Sequence, residues 1–434
     1  MKSGAGGTVA AVIAVFAAVA ALATAGCGGD SDSGGATKLT WFIGQQPGGA
    51  LAKIAERCSE QSDGSYDISF ELLPNQADQQ REQLVRRLGA EDSTMDLLGM
   101  DVVWTGEFAN AGWLKAVPPD VAKTVSKNVF DSVLETARFK NRLYTVPIWS
   151  NTQLLWYRKD RVPNPPKTWD EMIDQAEKLG PSRGRFQLQA NRYEGLVVLA
   201  NQLIESAGTS ILEGPTTAKL DKAPTERALR ILGRLSRSKV APANLTTSTE
   251  DSARLGFEGP EPPGQSDTSF MINYPFVYPS AKENRPKNVF PNIGVAKYPQ
   301  VDRDKPSAPP IGGINIGVSA YSKHPKEALA AAQCLVKAEN QLEVATLEGL
   351  PPVRSDLYDR PEIAKIYPGF AGLIRASIED AAPRPSISPA YQDLSLAIQR
   401  ALHPTTKIDP ADVESAYDEL RDKVDQAIKR KGLL

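Results

Sequence analysis

Apolar positions recur along this chain in two alternating rhythms. The run 38–43 (KLTWFI) is short, continuous and rich in β-formers, the pattern of a strand buried on both faces. After a polar turn at 45–49, residues 50–61 place Leu51, Ile54, Ala55 and Cys58 at helical spacing on one face. Residues 66–73 alternate like a strand, and 78–89 form a charged amphipathic helix with Leu84, Val85 and Leu88 inward. Another apolar strand, 95–100, ends at Asp101, and a helix follows at 107–112. Strand, helix, strand, helix, strand predicts a βα alternation with a mainly parallel sheet.

Further along, two apolar runs within 142–157 flank Ser150-Asn151-Thr152. The prolines of VPNPPKTWDEM (162–172) forbid a helix interior or a central strand. Thr168 is expected to cap the helix that begins at Trp169, with Glu171 completing a capping box. Helices are predicted over 195–207, 225–238, 326–337 and 340–348, and strands over 270–273 and 311–318. The tail 391–429 reads as helical and broken near Pro404, and 259–266 as an acidic, Pro/Gly-rich surface loop. No internal repeat or coiled coil is visible.

The start of the chain changes the picture. Lys2 is followed by an apolar run at 9–23, then Gly26-Cys27 and a polar stretch at 28–37. This is the order of a secretory signal peptide. A Cys directly after Ala25-Gly26 resembles the bacterial lipobox, although Thr24 stands where that motif favours Leu. The expectation is a signal peptide over 1–26, lipidation of Cys27 and a flexible tether over 27–37. The alternative is an uncleaved transmembrane anchor. Either way the folded part sits outside the cytoplasm, at the outer face of the cell membrane. There Cys58 and Cys334 remain as an even pair in an oxidising compartment. They are expected to form a disulfide, the alternative being two separate buried thiols.

At 434 residues the chain is long enough for two or more domains. Its 50 basic and 52 acidic residues leave a net charge of −2, without the basic excess a nucleic-acid partner would ask for. Only His324 and His403 occur, which argues against a histidine metal site or a Ser-His-Asp hydrolase. No nucleophile elbow, zinc motif, P-loop or GxGxxG is found. No cofactor or metal is expected, and no nucleic-acid partner.

The element order, with VPNPPKTWDEM (162–172) and GGINIGVS (312–319), resembles the extracellular solute-binding proteins of carbohydrate ABC importers, the maltose-binding-protein-like group. MDVVWTGEFANAGW (100–113), SNTQLLWYR (150–158), EGLVV (194–198), DSARLGFE (251–258), NYPFV (273–277), IGGIN (311–315), EGLPPVR (348–354) and Arg384-Pro385 are similar to the LpqY-type trehalose-binding lipoproteins of actinobacterial importers. Cys58 and Cys334 fall where those proteins also carry cysteines. Tyr274 stands where that group has Trp.

The resemblance implies an α/β, two-lobed periplasmic-binding-protein-like fold (type II) with ligand in the inter-lobe cleft. Lobe I would hold 38–148 plus 314–355, and lobe II 149–313 plus 356–434, with at least two crossings. It implies a monomeric, non-enzymatic lipoprotein that captures trehalose or a related disaccharide and delivers it to permease subunits. Maltose or other oligosaccharides, and an extracytoplasmic glycosidase, are the alternatives.

A neutral sugar needs carboxylates, amides and Arg for its hydroxyls and aromatic planes for its C–H faces. Asp101, after a strand, is expected to accept sugar hydroxyls, the alternative being a helix N-cap. Asn151 lies in a polar turn at the expected lobe crossing. Glu250 matches a family position that contacts sugar, the alternative being a solvated acid in a first helical turn. Tyr274 would stack on a ring or pack in the core. Gly312 and Gly313 allow close backbone approach or mark a hinge. Arg384, between prolines, would offer its fork to hydroxyls. Gln45, Gln46, Asn191, Glu194 and Asn273 are further candidates, and Trp104 is either a ligand contact or core.

Overall fold

The computed structural model describes residues 35–46, 48–259 and 266–429, and the described residues from 36 onward form one compact unit. The expected signal peptide, Cys27 and most of the tether lie outside the described residues, as does most of the acidic 259–266 loop.

Two sheets organise the unit. The first runs β2 (Tyr66–Leu73), β1 (Thr37–Gly44), β3 (Leu97–Asp101), β9 (Gly312–Val318), β4 (Thr145–Asn151). The second runs β8 (Ile293–Ala296), β5 (Leu154–Arg158), β7 (Thr268–Asn273), β6 (Arg185–Gln187). Leu39, Trp41, Phe42 and Ile43 are all buried, because helices cover both faces of the parallel part of the first sheet. β1 pairs parallel with β2 and β3, whereas β9 is antiparallel to both its neighbours. β6 and β8 were not anticipated: at three and four residues they are too short to show a period.

Helices α1 (Ala50–Glu60), α2 (Ala77–Gly89), α3 (Thr105–Asn110) and α4 (Asp131–Thr136) fill the connections of the first sheet. On the second follow α5 (Trp169–Leu179), α6 (Glu194–Ser206), α7 (Lys222–Arg237) and α8 (Glu250–Glu258). Thr168 Oγ1 accepts the Glu171 N–H at 3.2 Å, as expected of a cap. The Glu171 carboxylate takes the Lys167 N–H at 2.7 Å, one residue outside the expected box.

Later in the chain come α9 (Pro325–Leu335), α10 (Ala338–Glu348), α11 (Pro361–Ile366), α12 (Ala371–Glu379), α13 (Tyr391–Leu402) and α14 (Glu414–Lys429). Both α9 and α10 pack on α1, and Cys58 of α1 is disulfide-bonded to Cys334 of α9 across 276 residues. Helices α13 and α14 pack on each other and on α6 and α7, beside the second sheet. By contrast α11 packs on α10 and α12 on α4, while Phe370 between them meets Trp156 of β5 and Tyr278, so 361–379 touches both halves. The expectation placed all of 356–434 with the second sheet; 361–379 packs on elements of the first as well. Amphipathic spacing marks a helix's inner face but not which sheet it meets.

The chain therefore passes between the sheets at 152–153, 297–311 and 380–390. The last two passages run side by side, with the Ala382 N–H donating to the Pro309 carbonyl at 3.0 Å. Among the described residues no helix is long and apolar enough to cross a membrane.

Candidate binding site in the cleft

Strand register decides what meets at the edge of the first sheet. Ile314 pairs with Asp101 and Gly312 with Asn151, so the ends of β3 and β4 flank the start of β9. On the second sheet Asn273 pairs with Leu154, and Tyr274 follows at the end of β7. Carboxyl ends of strands are where open α/β sheets present ligand groups. Gly313 sits at φ 126°, and a Cβ there would lie 2.2 Å from the Trp149 carbonyl oxygen. Gly313→Ala is expected to cost about 1–3 kcal/mol of stability, read by urea denaturation. An unchanged midpoint would mean the backbone there relaxes freely.

Arg384 joins the two halves. Held between Pro383 and Pro385, its side chain is 4% exposed. Nη2 donates to Asp101 Oδ1 at 3.1 Å, and Nη1 donates to Glu194, the first residue of α6. Glu194 also accepts the hydroxyls of Ser395, at 2.6 Å, and Tyr391. Burial pushes the Glu194 carboxyl above the usual range, against the pull of Arg384 and these two hydroxyls. Arg384 Nε is a buried donor with no partner among the described residues. Asp101 Oδ1 accepts the Val103 N–H at 3.2 Å as well, closing a turn at the end of β3.

A second group stands opposite. Glu250 opens α8 and is pushed above its usual range by burial, eased by Tyr193. The Tyr193 hydroxyl lies against Glu250 without closing a well-formed hydrogen bond. Burial pushes the Tyr274 hydroxyl up, and the charges of Glu250, Arg384, Asp101 and Glu194 all reach it. A Cβ on Gly312 would come within 3.6 Å of Asn151 Cβ and 3.9 Å of a Tyr274 ring carbon. Asp101, Asn151, Glu194, Glu250, Tyr274, Gly312 and Arg384 thus converge.

Other candidates do not. Trp104 is 3% exposed and stacks on Phe108 with centroids 6.1 Å apart, so it is core. Asn273 is fully buried, donating to the Glu250 carbonyl at 3.0 Å and accepting the Tyr274 N–H at 2.9 Å. It ties Glu250 to Tyr274. Asn191 is half-buried with its Oδ1 on the Arg192 N–H at 2.8 Å, a turn contact. Half-buried Gln46 and exposed Gln45 follow β1 with no side-chain bond to the cluster. Sequence reasoning passed over Tyr193, Tyr391 and Ser395. The spacing of Tyr391 and Ser395 puts both on one helix face, but nothing local says that this face meets Glu194.

A profile of the family described as "Bacterial extracellular solute-binding protein" matches residues 48–342. The chain belongs to the bacterial extracellular solute-binding proteins. It is 28% identical over 352 residues to a "Probable ABC transporter-binding protein" of Deinococcus radiodurans, covering 77% of this chain and 81% of that one. It is 26% identical to a "Maltotriose-binding protein" of Pyrococcus abyssi over 60% of this chain and 55% of that one. Among solved structures, maltose-bound MalE3 of T. maritima superposes with a TM-score of 0.78 at 24% identity, over 91% of this chain and all of that one. The cyclic α-maltosyl-1,6-maltose binding protein of Arthrobacter globiformis gives 0.73 at 19%, over 91% and 100%. These likenesses fix the two-lobed α/β fold. As a solute-binding protein of an extracellular, non-enzymatic family, the chain holds its ligand outside the cytoplasm and does not transform it.

Proposed function

We propose that this solute-binding protein captures trehalose or a related α-linked disaccharide and delivers it to the permease of an ABC importer, tethered through a lipidated Cys27. The observation that carries this reading is the clasp. Arg384, on the third crossing, is held by Asp101 of the first lobe and Glu194 of the second, beside Glu250, Tyr193 and Tyr274. Carboxylates and a fixed guanidinium suit hydroxyls, and the tyrosine ring suits a sugar C–H face. Three carboxylates, Asp101, Glu194 and Glu250, lie about Arg384, which disfavours phosphorylated or acidic sugars.

The lobes are proposed as 38–148 with 314–379, and 149–313 with 380–429. Maltose or maltotriose is the second reading, favoured by the ligands named for the relatives.

A thermal-shift screen over trehalose, maltose, maltotriose and a phosphorylated sugar tests this. The preferred sugar at a hundredfold excess over Kd adds about 2.7 kcal/mol by mass action. Asp101→Ala is expected to erase that shift while the protein stays folded. A larger shift with maltotriose than with trehalose would transfer the assignment to the second reading.

A further inference from the structure

Away from the clasp lies a cavity of about 750 Å³ that shares only Arg384 with it. A β-hairpin from each lobe walls it. One is built from Arg138–Phe139 and Arg142–Leu143 after α4, the other from Leu212–Glu213 and Thr217–Ala218 after α6. The 383–389 segment of the third crossing forms another wall. Its volume is that of an ordinary small-molecule pocket. Phe139, Ile211, Leu212, Pro383, Pro385 and Ile387 make it largely apolar, and Ile387 stands 44% exposed.

Into this wall the last turn of α6 brings Glu205. Its carboxyl makes no hydrogen bond or ion pair with the described residues. Burial pushes it up to about 7, against the attraction of Lys219. The other charges are differently placed. Glu135, Arg138 and Lys140 are exposed at the mouth, Lys140 Nζ lying 5.0 Å from the Phe139 ring centroid, and Arg384 is committed to Asp101 and Glu194. Exposed charges are screened by water and act weakly. A carboxylate set in an apolar wall gains far more from a counter-charge delivered to it. An amine therefore suits the cavity better than an acid.

We infer that this cavity is a second ligand site, for a compact apolar amine whose ring fills the hairpin wall and whose ammonium pairs with Glu205. The site stands independently of what the cleft binds. Calorimetric titration of the mature chain with benzylamine, benzyl alcohol and benzoate tests it. Saturable benzylamine binding is expected at about pH 8, where Glu205 is ionised. It should weaken about tenfold with benzyl alcohol, in Glu205→Gln, or at about pH 5.5, the size of a lost charged hydrogen bond. Asn151→Ala, at a cleft residue that neither lines the cavity nor bonds to Arg384, should leave it unchanged, which separates this site from the cleft. Absent saturation, benzoate binding as tightly as benzylamine, full binding by Glu205→Gln, or loss of binding in Asn151→Ala would each overturn the inference.

Discussion

Arg384→Ala is expected to abolish sugar binding and to lower stability by about 3–5 kcal/mol at neutral pH, the range for breaking a buried ion pair. The variant leaves Asp101 and Glu194 facing each other without their shared cation, and Glu194 is buried among side chains that cannot supply one. Arg384→Lys should not restore binding, because one ammonium cannot reproduce a fork set between two carboxylates. The pH dependence follows from Glu194, whose native pKa is raised by burial even with Arg384 present. Between an unfolded carboxyl's value of about 4.3 and that raised value, the native state holds more protons than the unfolded state. Stability from this group is therefore lost as pH rises through the window. Removing Arg384 raises the native value further. The deficit against wild type should be largest near neutrality and shrink on acidification toward about pH 4.3, measured by urea denaturation at each pH. A deficit that stays constant across that range would mean the carboxylates are not what the arginine neutralises. Arg384→Met, which keeps most of the apolar stem, separates lost packing from lost charge.

The double variant Cys58→Ala/Cys334→Ala is expected to lose roughly 2–5 kcal/mol, because the bridge spans 276 residues and restrains the unfolded chain. Both sulfurs are buried, and Asn340 Nδ2 rests on Cys58 Sγ at 3.4 Å and on the Cys334 carbonyl at 2.7 Å, so local packing adds to the chain-entropy effect. Reduction of the wild type should reproduce the loss. Helices α1 and α9 contribute nothing to the clasp, so sugar affinity below the melting transition should be unchanged. Equal midpoints for the double variant and the wild type under non-reducing conditions would count against a stabilising bridge.

These two experiments probe different layers of the molecule, and the layers were unequally legible in the sequence. The bridge was expected from cysteine parity and compartment alone. Asp101, Asn151 and Arg384 stood out as a polar residue after a strand, a polar turn at the expected crossing and a cation between prolines, and Glu250 as a match to a family position, each beside an ordinary local use. Trp104 was undecided because an aromatic beside a strand end satisfies core and cleft equally well. Its contact with Phe108 decides for core. The Asn273 bond to the Glu250 carbonyl, 23 residues away, had no signal in the sequence.

By itself the sequence determined the helices and the longer strands, through periods of apolar residues that depend on near neighbours. The tertiary structure alone decided that Arg384 meets Asp101, 283 residues away, and Glu194, 190 residues away. It likewise decided that the Tyr391 ring packs in the core of the first sheet while its hydroxyl, with that of Ser395, reaches Glu194 beside the second. The reason is physical: periodicity fixes which face of an element is apolar, but which distant surface covers that face is set by register and packing across the whole chain.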